Sequence, residues 1–359
     1  MLIDWLSLKL PTDTLDTELL RQWQSTQDRI LKIDGSGQVV WEVSAWESVR
    51  SDSHQIALQI SGTHIRIQGS PARIIGDGDN VFSAGAAAAL DIVACATRMI
   101  SFVSSTLGFD LNKDVNSWSC TRVDVTGNLW LGGLAEVRQA LAILRNCEGG
   151  RYRVSQQAGD TVYWSHKSRL KSGKAYAKGA ELVHKAVQMA KKKTIEQTAR
   201  EYSLEEVQLA NGLLRLELKL GSQFWRERSV KKWFEFSYSD LHAEWENYFS
   251  RMIGGAEIMS ESDVYERIKS VCDINAKGHV KMTQLNAAYS LWSRIKCDGW
   301  QRTRDTTTKS TWYRNIEILR KAGFSDADIS SGQIVQLRRK VLEARPVNSW
   351  AELRQIAAS

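Results

Sequence analysis

The sequence predicts an α+β fold, with an N-terminal domain built on an antiparallel sheet with flanking helices and a smaller all-helical domain after it. Three observations support this prediction. Short β-branched stretches, several of them alternating, recur up to about residue 220, and such stretches are typical of strands. Only helical periodicity follows residue 238. The length of 359 residues suits about two domains, and we place their boundary near residue 250, which gives domains 1–250 and 251–359.

Strands are predicted wherever apolar residues alternate or cluster over a short stretch that turn residues then end. The chain begins with such a stretch, and two later ones are separated by Ser61-Gly62, a two-residue hairpin signal. The predicted strands are 1–11, 38–43, 55–60, 63–68, 119–126, 160–165, 173–177 and 213–220. The last of them alternates without interruption, and a basic loop, 166–172, joins the two before it.

Helices are predicted where apolar residues recur at helical spacing. The predicted helices are 84–107, 134–144, 180–193, 285–295 and 309–321. Gly108 is expected to end the first of them, and the lysine run 191–193 closes the third. Thr308 and Gly323 flank the last one as an N-cap and a C-terminal glycine.

Charge is distributed unevenly along the chain. The net charge is +7, but residues 1–110 carry 8 Lys/Arg and 13 Asp/Glu, whereas residues 145–200 carry 13 Lys/Arg and 4 Asp/Glu. A positive segment beside a negative one indicates an anionic partner, most simply nucleic acid. The 14 Trp residues could stack on unpaired bases, although most of them are expected in the core.

Several functional classes are excluded by missing signatures. No apolar run reaches the about 18 residues of a membrane helix, and the start of the chain, with Asp4 and Lys9, is no secretory signal, so no membrane partner is expected. Five scattered cysteines without a CxxC pair favour a reducing cytoplasm. The sequence has no HExxH zinc motif, no P-loop, no GxSxG elbow and no two histidines around one hydrophobic residue.

Two predicted strands share a pattern that can build a metal site. Arg122 and Asp124 lie on one face of a strand, and Arg215 and Glu217 lie on one face of a later one. If the two strands belong to one sheet, their polar faces bring two carboxylates together beside two guanidinium groups. Two carboxylates suit Mg²⁺ or Mn²⁺, which can support phosphoryl transfer. The alternative is a salt-bridged, half-exposed sheet with no metal.

The segment 161–181 holds two candidate nucleophiles, Tyr163 and Tyr176. Nearby cations favour an ionised phenol and attract a DNA backbone. The cations around Tyr176 are Lys167, Arg169, Lys171, Lys174 and Lys178. Glu181 follows at the start of the next predicted helix. The alternative is that both tyrosines are ordinary strand residues.

A series of motifs follows one order along the chain. They are LSLKLP, IRIQGSPARI, DNVF, TRVDVT, TVYWSHKSR, KAYAKGAEL, LRLEL, AAYSLWSRIKCDGW and STWYRNIEILRKAGF. Each is weak alone, but their order and spacing together are specific. The chain resembles the filamentous-phage replication initiators, the gene II protein group (phage/plasmid replication protein, II/X family), over nearly its whole length.

The resemblance implies a site-specific, metal-dependent enzyme that nicks and rejoins DNA in rolling-circle replication. Its nucleophile would be Tyr176, which would form a 5′-phosphotyrosine and free a 3′-OH for synthesis. Asp124, Glu217 and Glu181 are the implied ligands of Mg²⁺ or Mn²⁺. The family carries an acidic residue near the position of Arg66, so no ligand is expected from that strand.

The predicted DNA-binding residues are Lys167, Arg169, Lys171, Lys174, Lys178, Arg122 and Arg215. The implied partners are phage origin DNA, as supercoiled duplex and as single strand, and a host helicase and polymerase in the cytoplasm of a bacterial host. The alternative is a non-catalytic DNA-binding regulator of replication or transcription. The C-terminal helices are expected to bind DNA or a partner, and the basic face of helix 309–321 either enters a major groove or is simply solvated.

Overall fold

The computed structural model describes residues 1–15, 17–26, 28–50, 55–61, 63–71, 79, 81–82, 91–108, 110–145, 154–155, 160–191, 200–227, 231–253, 261–274, 276, 278–324, 329 and 346–358. Parts of several predicted features lie outside these residues. They are Gly62 of the hairpin turn, 84–90 of the first helix, Lys192 and Lys193, and much of the basic segment 145–200.

Twelve strands lie within the described residues. They are β1 (Leu2–Pro11), β2 (Arg29–Ile33), β3 (Val39–Ser44), β4 (Glu47–Arg50), β5 (Gln55–Ile60), β6 (His64–Gly69), β7 (Ser119–Trp130), β8 (Val154–Ser155), β9 (Thr161–Trp164), β10 (Lys171–Ala177), β11 (Leu213–Leu220) and β12 (Pro346–Val347). All eight predicted strands are among them. The structure adds β2, β4, β8 and β12.

One antiparallel sheet dominates the fold. Nine strands follow the order β4-β5-β6-β1-β7-β11-β10-β9-β8, and β12 pairs with β7 beyond the end of β1. Strands β2 and β3 form a separate two-stranded ribbon. The predicted α+β fold with an antiparallel sheet is confirmed, and the long strand β7 has β1 on one side and β11 on the other.

Twelve helices lie within the described ranges. They are α1 (Thr17–Thr26), α2 (Ile92–Leu107), α3 (Leu134–Leu144), α4 (Lys178–Lys191), α5 (Leu204–Ala210), α6 (Ser222–Glu227), α7 (Tyr238–Ile253), α8 (Glu261–Val271), α9 (Met282–Asp298), α10 (Trp300–Asp305), α11 (Lys309–Lys321) and α12 (Trp350–Ala358). The predicted helices 134–144 and 309–321 coincide with α3 and α11. Among the described helices, none combines the length and the hydrophobicity needed to cross a bilayer.

Helix α2 begins at Ile92, because Asp91 caps it there. The Asp91 carboxylate accepts hydrogen bonds from the backbone N–H groups of Val93 and Ala94, at 2.9 and 3.0 Å, as an N-cap does. The predicted start at residue 84 lies outside the described residues. Gly108 ends the helix with a φ of 66°, as predicted.

The apolar face of the sheet carries the main core, and α2, α3 and α7 cover it. Trp245 of α7 donates its indole N–H to the Leu216 carbonyl at 3.1 Å. Gly127 in β7 leaves room for this ring, since a Cβ there would lie 2.9 Å from it. Because strand side chains alternate, the opposite face of the same strands is left for polar residues.

Helices α8, α9 and α11 form a second core around Leu285, Trp292 and Trp312. The helical region predicted after the sheet domain is therefore present. Its boundary near residue 250 stays a prediction.

The last described segment, 346–358, leaves the helices and returns to the sheet. Strand β12 pairs with β7, and the amino group of Met1 donates to Asn348 Oδ1. The prediction that strands end near residue 238 is wrong, and the last part of 251–359 lies on the sheet. A two-residue strand has no periodicity that a sequence could reveal.

Candidate active site

The polar face of the sheet is centred on β7, β11 and β10, which are neighbours. Tyr176 on β10 lies directly opposite Arg215 on β11. Asp124 on β7 lies diagonally across from Glu217, since it pairs with the residue two positions further along β11. Opposed residues, and residues two apart on one strand, share a face. The structure therefore places Tyr176, Asp124 and Glu217 on one face.

Asp124 is buried, with 2% of its side chain exposed, and Arg122 on the same strand binds it. The Arg122 Nε–H donates to Asp124 Oδ1 at 2.8 Å, and a second N–H donates to Oδ2. Burial raises the pKa of Asp124 above its usual range, Arg122 opposes this, and the Glu217 and Asp4 carboxylates raise it further. The carboxylate is therefore easier to protonate than an exposed aspartate.

A β-bulge adds a third carboxylate that the sequence analysis missed. The register between β1 and β7 shifts between Ile3 and Trp5, which leaves Asp4 as the extra residue on the bulged strand. Asp4 Oδ2 lies 3.6 Å from a terminal nitrogen of Arg215. In the sequence Asp4 is only a charge inside an apolar strand, which is a weak signal for such a position.

Tyr176 lies among these charges and is 4% exposed. Burial raises the pKa of its hydroxyl well above the usual value, Arg215 lowers it, and Glu217 and Asp4 raise it. The Lys174 ammonium lies 4.0 Å from the centroid of the ring. The tyrosine is therefore protonated in this conformation, and the cations beside it favour the ionised form.

Arg215 is held beside Tyr176 by the DNVF motif at 79–82. One guanidinium N–H donates to the Val81 carbonyl, and the Nε–H donates to Asn128 Oδ1 at 2.9 Å. Asp79, which is buried, accepts from the Val81 N–H at 2.7 Å and so shapes this turn. Further partners of the Asp79 carboxylate are Phe82, Tyr202, Trp350 and Arg200. The motif thus positions the Arg215 guanidinium beside Tyr176.

The predicted DNA-binding residues separate into accessible and inaccessible ones. Those that are exposed or half-buried are Lys167, Arg169, Lys171, Lys174 and Arg122. Lys171 lies on the opposite face of β10 from Tyr176, where it pairs with Glu244 of α7. A DNA strand on the polar face therefore does not meet Lys171.

Lys178 and Arg215 are each 1% exposed, so the prediction that they contact the DNA backbone is corrected. Both are interior charges. Burial lowers the pKa of Lys178 to about 7, Arg215 adds to this effect, and Glu181 opposes it. Sequence alone gives the charge of a lysine or an arginine and not how far its side chain is buried.

Glu181 forms ion pairs and is not grouped with Asp124 and Glu217 in the described structure. Lys178 Nζ donates to Glu181 Oε2 at 2.8 Å, and Lys185 pairs with the other oxygen. Burial raises the pKa of Glu181, but the two lysines outweigh it and lower the pKa to about 2. The structure therefore places Glu181 among the ion pairs of the first turn of α4, and its role as a metal ligand stays a prediction.

Glu181→Gln is expected to flatten the acid limb of the stability curve. A carboxylate whose pKa falls on folding stabilises the folded state above its unfolded pKa of 4.5, and the effect is lost as the pH falls toward 2. The urea midpoint of the wild type should therefore drop more steeply across this window than that of the variant. Equal slopes would contradict the ion-pair role.

Asp124 and Glu217 suit a hard divalent cation by their chemistry. Mg²⁺ commonly takes one or two carboxylates and completes its shell with water and substrate phosphates. Within the described ranges, no three His, Cys, Asp or Glu side chains are grouped closely enough to hold an ion by themselves. The pair therefore fits a cation that a DNA phosphate helps to bind, once Arg122 and Lys174 release the carboxylates.

Comparison with known protein families shows which family the chain belongs to. Residues 2–242 match the family described as the N-terminal part of the phage "Replication-associated protein", the gene II protein. This match spans more than half of the chain, and the chain belongs to this family. The resemblance to the gene II protein group is confirmed, and the chain is a replication initiator of this group.

Relatives from filamentous phages share the match, and each of them is called a replication-associated protein of the same gene II type. The chain is 24% identical over 332 residues to that of Salmonella phage IKe, covering 83% of this chain and 77% of the relative. It is 23% identical over 363 residues to that of Enterobacteria phage I2-2, covering 97% and 95%. A solved rolling circle replication initiator protein from Geobacillus stearothermophilus aligns with 61% of this chain and 73% of its own, at 12% identity and a TM-score of 0.26.

Proposed function

We propose that the chain nicks one strand of phage origin DNA through Tyr176 and later rejoins the displaced strand. The observation that carries the proposal is the meeting of Tyr176, Arg215 and two carboxylates on one face of the sheet. A tyrosine with a purely structural role needs no buried guanidinium beside its hydroxyl. Membership of a replication-initiator family supports the same class of reaction.

The proposed first step is attack by the tyrosine oxygen on a phosphodiester. Tyr176 loses its proton, its oxygen bonds to phosphorus, and the 3′-oxygen leaves and takes up a proton. The products are a 5′-phosphotyrosine and a free 3′-OH for synthesis. Arg215 favours the ionised tyrosine against the effect of burial. Lys174, over the ring, is placed to meet the charge of the phosphate.

The proposed second step reverses the first. Because one phosphate ester replaced another, the phosphotyrosine bond keeps about the energy of the bond that was cut. A later 3′-OH can therefore attack the phosphorus, release Tyr176 and close a circle. No nucleotide cofactor is required, in agreement with a sequence that lacks a P-loop.

Mg²⁺, or Mn²⁺, is the proposed cofactor, with Asp124 and Glu217 as its protein ligands. Such an ion, when bound, offsets the charge that develops on the phosphate oxygens. Arg122 has 40% of its side chain exposed. It can therefore turn from Asp124 toward the DNA backbone when a cation takes its place.

Replacing both Lys167 and Arg169 by Ala is expected to reduce the salt dependence of DNA binding. Both are exposed between β9 and β10. Each lost phosphate contact lowers the slope of log K against log salt by about 0.9 on duplex DNA, so the double variant should lose about 2. Lys171→Ala is the control, because its ion pair on the opposite face predicts little change. An unchanged slope in the double variant would place the DNA elsewhere.

Incubation of supercoiled origin DNA with the full-length protein and Mg²⁺ tests the proposal. Relaxed circles with protein covalently attached are expected. A non-catalytic regulator of replication or transcription would bind the same DNA and leave it supercoiled. The proposed partners are phage origin DNA, as duplex and as single strand, and a host helicase and polymerase that use the free 3′-OH in the cytoplasm of a bacterial host.

A further inference from the structure

Helices α9, α10 and α11 form a corner in the C-terminal region. Gly299, with a φ of 83°, ends α9 and allows the chain to turn into the six-residue helix α10. Three residues, 306–308, then separate α10 from α11. Two short helices joined by a turn of about three or four residues are the arrangement of a helix-turn-helix motif.

Side-chain packing fixes α11 against α10. The Trp300 and Trp312 rings meet edge to face, with their centroids 4.8 Å apart. Arg294 of α9 donates to Thr306 Oγ1 at 2.8 Å, which ties the turn between α10 and α11 to α9. Trp312 is buried in the second core. One face of α11 is therefore packed against the second core, and this packing fixes the direction in which the opposite face points.

The opposite face of α11 is exposed along the whole helix. Its residues are Lys309, Ser310, Tyr313, Arg314, Glu317, Arg320 and Lys321. Tyr313 is 60% exposed, although large aromatic side chains are mostly buried in folded proteins. The half of the face near the turn holds Lys309, Ser310, Tyr313 and Arg314.

The charge of this corner is strongly positive. Residues 281–324 carry nine Lys/Arg and three Asp/Glu, a net charge of +6. Helix α8, which packs in the same core, carries two Lys/Arg and three Asp/Glu. The excess of positive charge therefore lies in α9 to α11 and not in α8. Its natural complement is a polyanion with a groove wide enough for a helix, which describes duplex DNA.

We infer that α10 and α11 form a helix-turn-helix that binds duplex DNA, with the first half of α11 in the major groove. In this arrangement Arg314 and Tyr313 face the base edges, and Lys309 contacts the backbone. The unit lies outside the sheet that carries Tyr176, so recognition and cutting are carried by different parts of the chain. Only the identity of the duplex as origin DNA rests on the proposed function.

Selection from a randomised duplex pool by the full-length protein tests this inference. The recovered fragments are expected to define a sequence motif. Arg314→Ala should weaken binding to that duplex about 10- to 100-fold and relax the preference at one base pair. Lys281→Ala is the matched control, because it removes one positive charge at the far end of α9. It should change neither the affinity for the selected duplex nor the base-pair preference. Both side chains are exposed, so folding should be unaffected.

Two results would overturn the inference. Equal losses in Arg314→Ala and Lys281→Ala would indicate general charge attraction and no base reading. Unchanged duplex binding in a combined Tyr313→Ala and Arg314→Ala variant would show that the exposed face of α11 does not bind DNA. The face would then be assigned to a protein partner.

Cleavage of a single-stranded origin oligonucleotide separates this inference from the nicking proposal. Arg314→Ala should cut it as the wild type does. A wild-type chain that binds the selected duplex but cuts no oligonucleotide would end the nicking proposal and leave the helix-turn-helix in place.

Discussion

Tyr176→Phe is expected to abolish DNA nicking and the covalent protein–DNA adduct together. The substitution removes one oxygen, the proposed nucleophile, and loss of a nucleophile costs on the order of 10⁶-fold in rate. Relaxation of supercoiled DNA and a denaturing gel with labelled origin oligonucleotide measure the two effects. Folding should persist, because Arg215 keeps its hydrogen bonds to Val81 and Asn128, and DNA binding should be unchanged.

Tyr163→Phe is the matched control for this experiment. Tyr163 lies on β9 opposite Lys174 and so on the same polar face. The Lys174 ammonium is 5.9 Å from the Tyr163 ring centroid and 4.0 Å from that of Tyr176. The Tyr163 variant should nick normally. If it loses the adduct while the Tyr176 variant keeps it, Tyr163 is the nucleophile.

Unbroken periodicity explains the elements that the sequence predicts to the residue. Strand β11 at 213–220, helix α3 at 134–144 and helix α11 at 309–321 each keep one apolar period from end to end. In such segments the local pattern and the final packing agree. The shared face of Asp124 and Glu217 follows for the same reason, since a polar residue changes face only if the register slips.

The parts that the sequence could not reveal depend on contacts between distant segments. Lys178 and Arg215 have the charge of DNA-binding residues, but Glu181 and the Val81 carbonyl satisfy them inside the protein. Asp4 joins the site through a one-residue bulge, which moves the core-facing positions of β1 from the odd number of Ile3 to the even number of Leu6. Burial changes neither the composition nor the period that a sequence displays, and one change of phase near the end of a strand does not identify the bulged residue.

Asp124→Asn and Glu217→Gln are each expected to lower divalent-cation affinity and cleavage together, by at least about 100-fold. Each change keeps the shape of the side chain and removes one charged oxygen ligand. Mn²⁺ binding by electron paramagnetic resonance, with oligonucleotide present, gives the affinity, and the Mg²⁺ dependence of cleavage gives the rate. Because burial raises the pKa of Asp124, mild acid should protonate this carboxylate and weaken cation binding in the wild type. Cation binding by Asp124→Asn should lack this pH response.

Glu244→Gln is the control for both variants, because it makes the same change in a carboxylate that pairs with Lys171 on the other face of the sheet. It should bind the cation and cleave DNA as the wild type does. Circular dichroism of Asp124→Asn should stay native, since the half-exposed Arg122 can turn to solvent. Unfolding of Asp124→Asn together with normal Mn²⁺ binding by Glu217→Gln would assign both carboxylates to a salt-bridged sheet without a metal. Normal Mn²⁺ affinity in two folded variants would place the cation elsewhere.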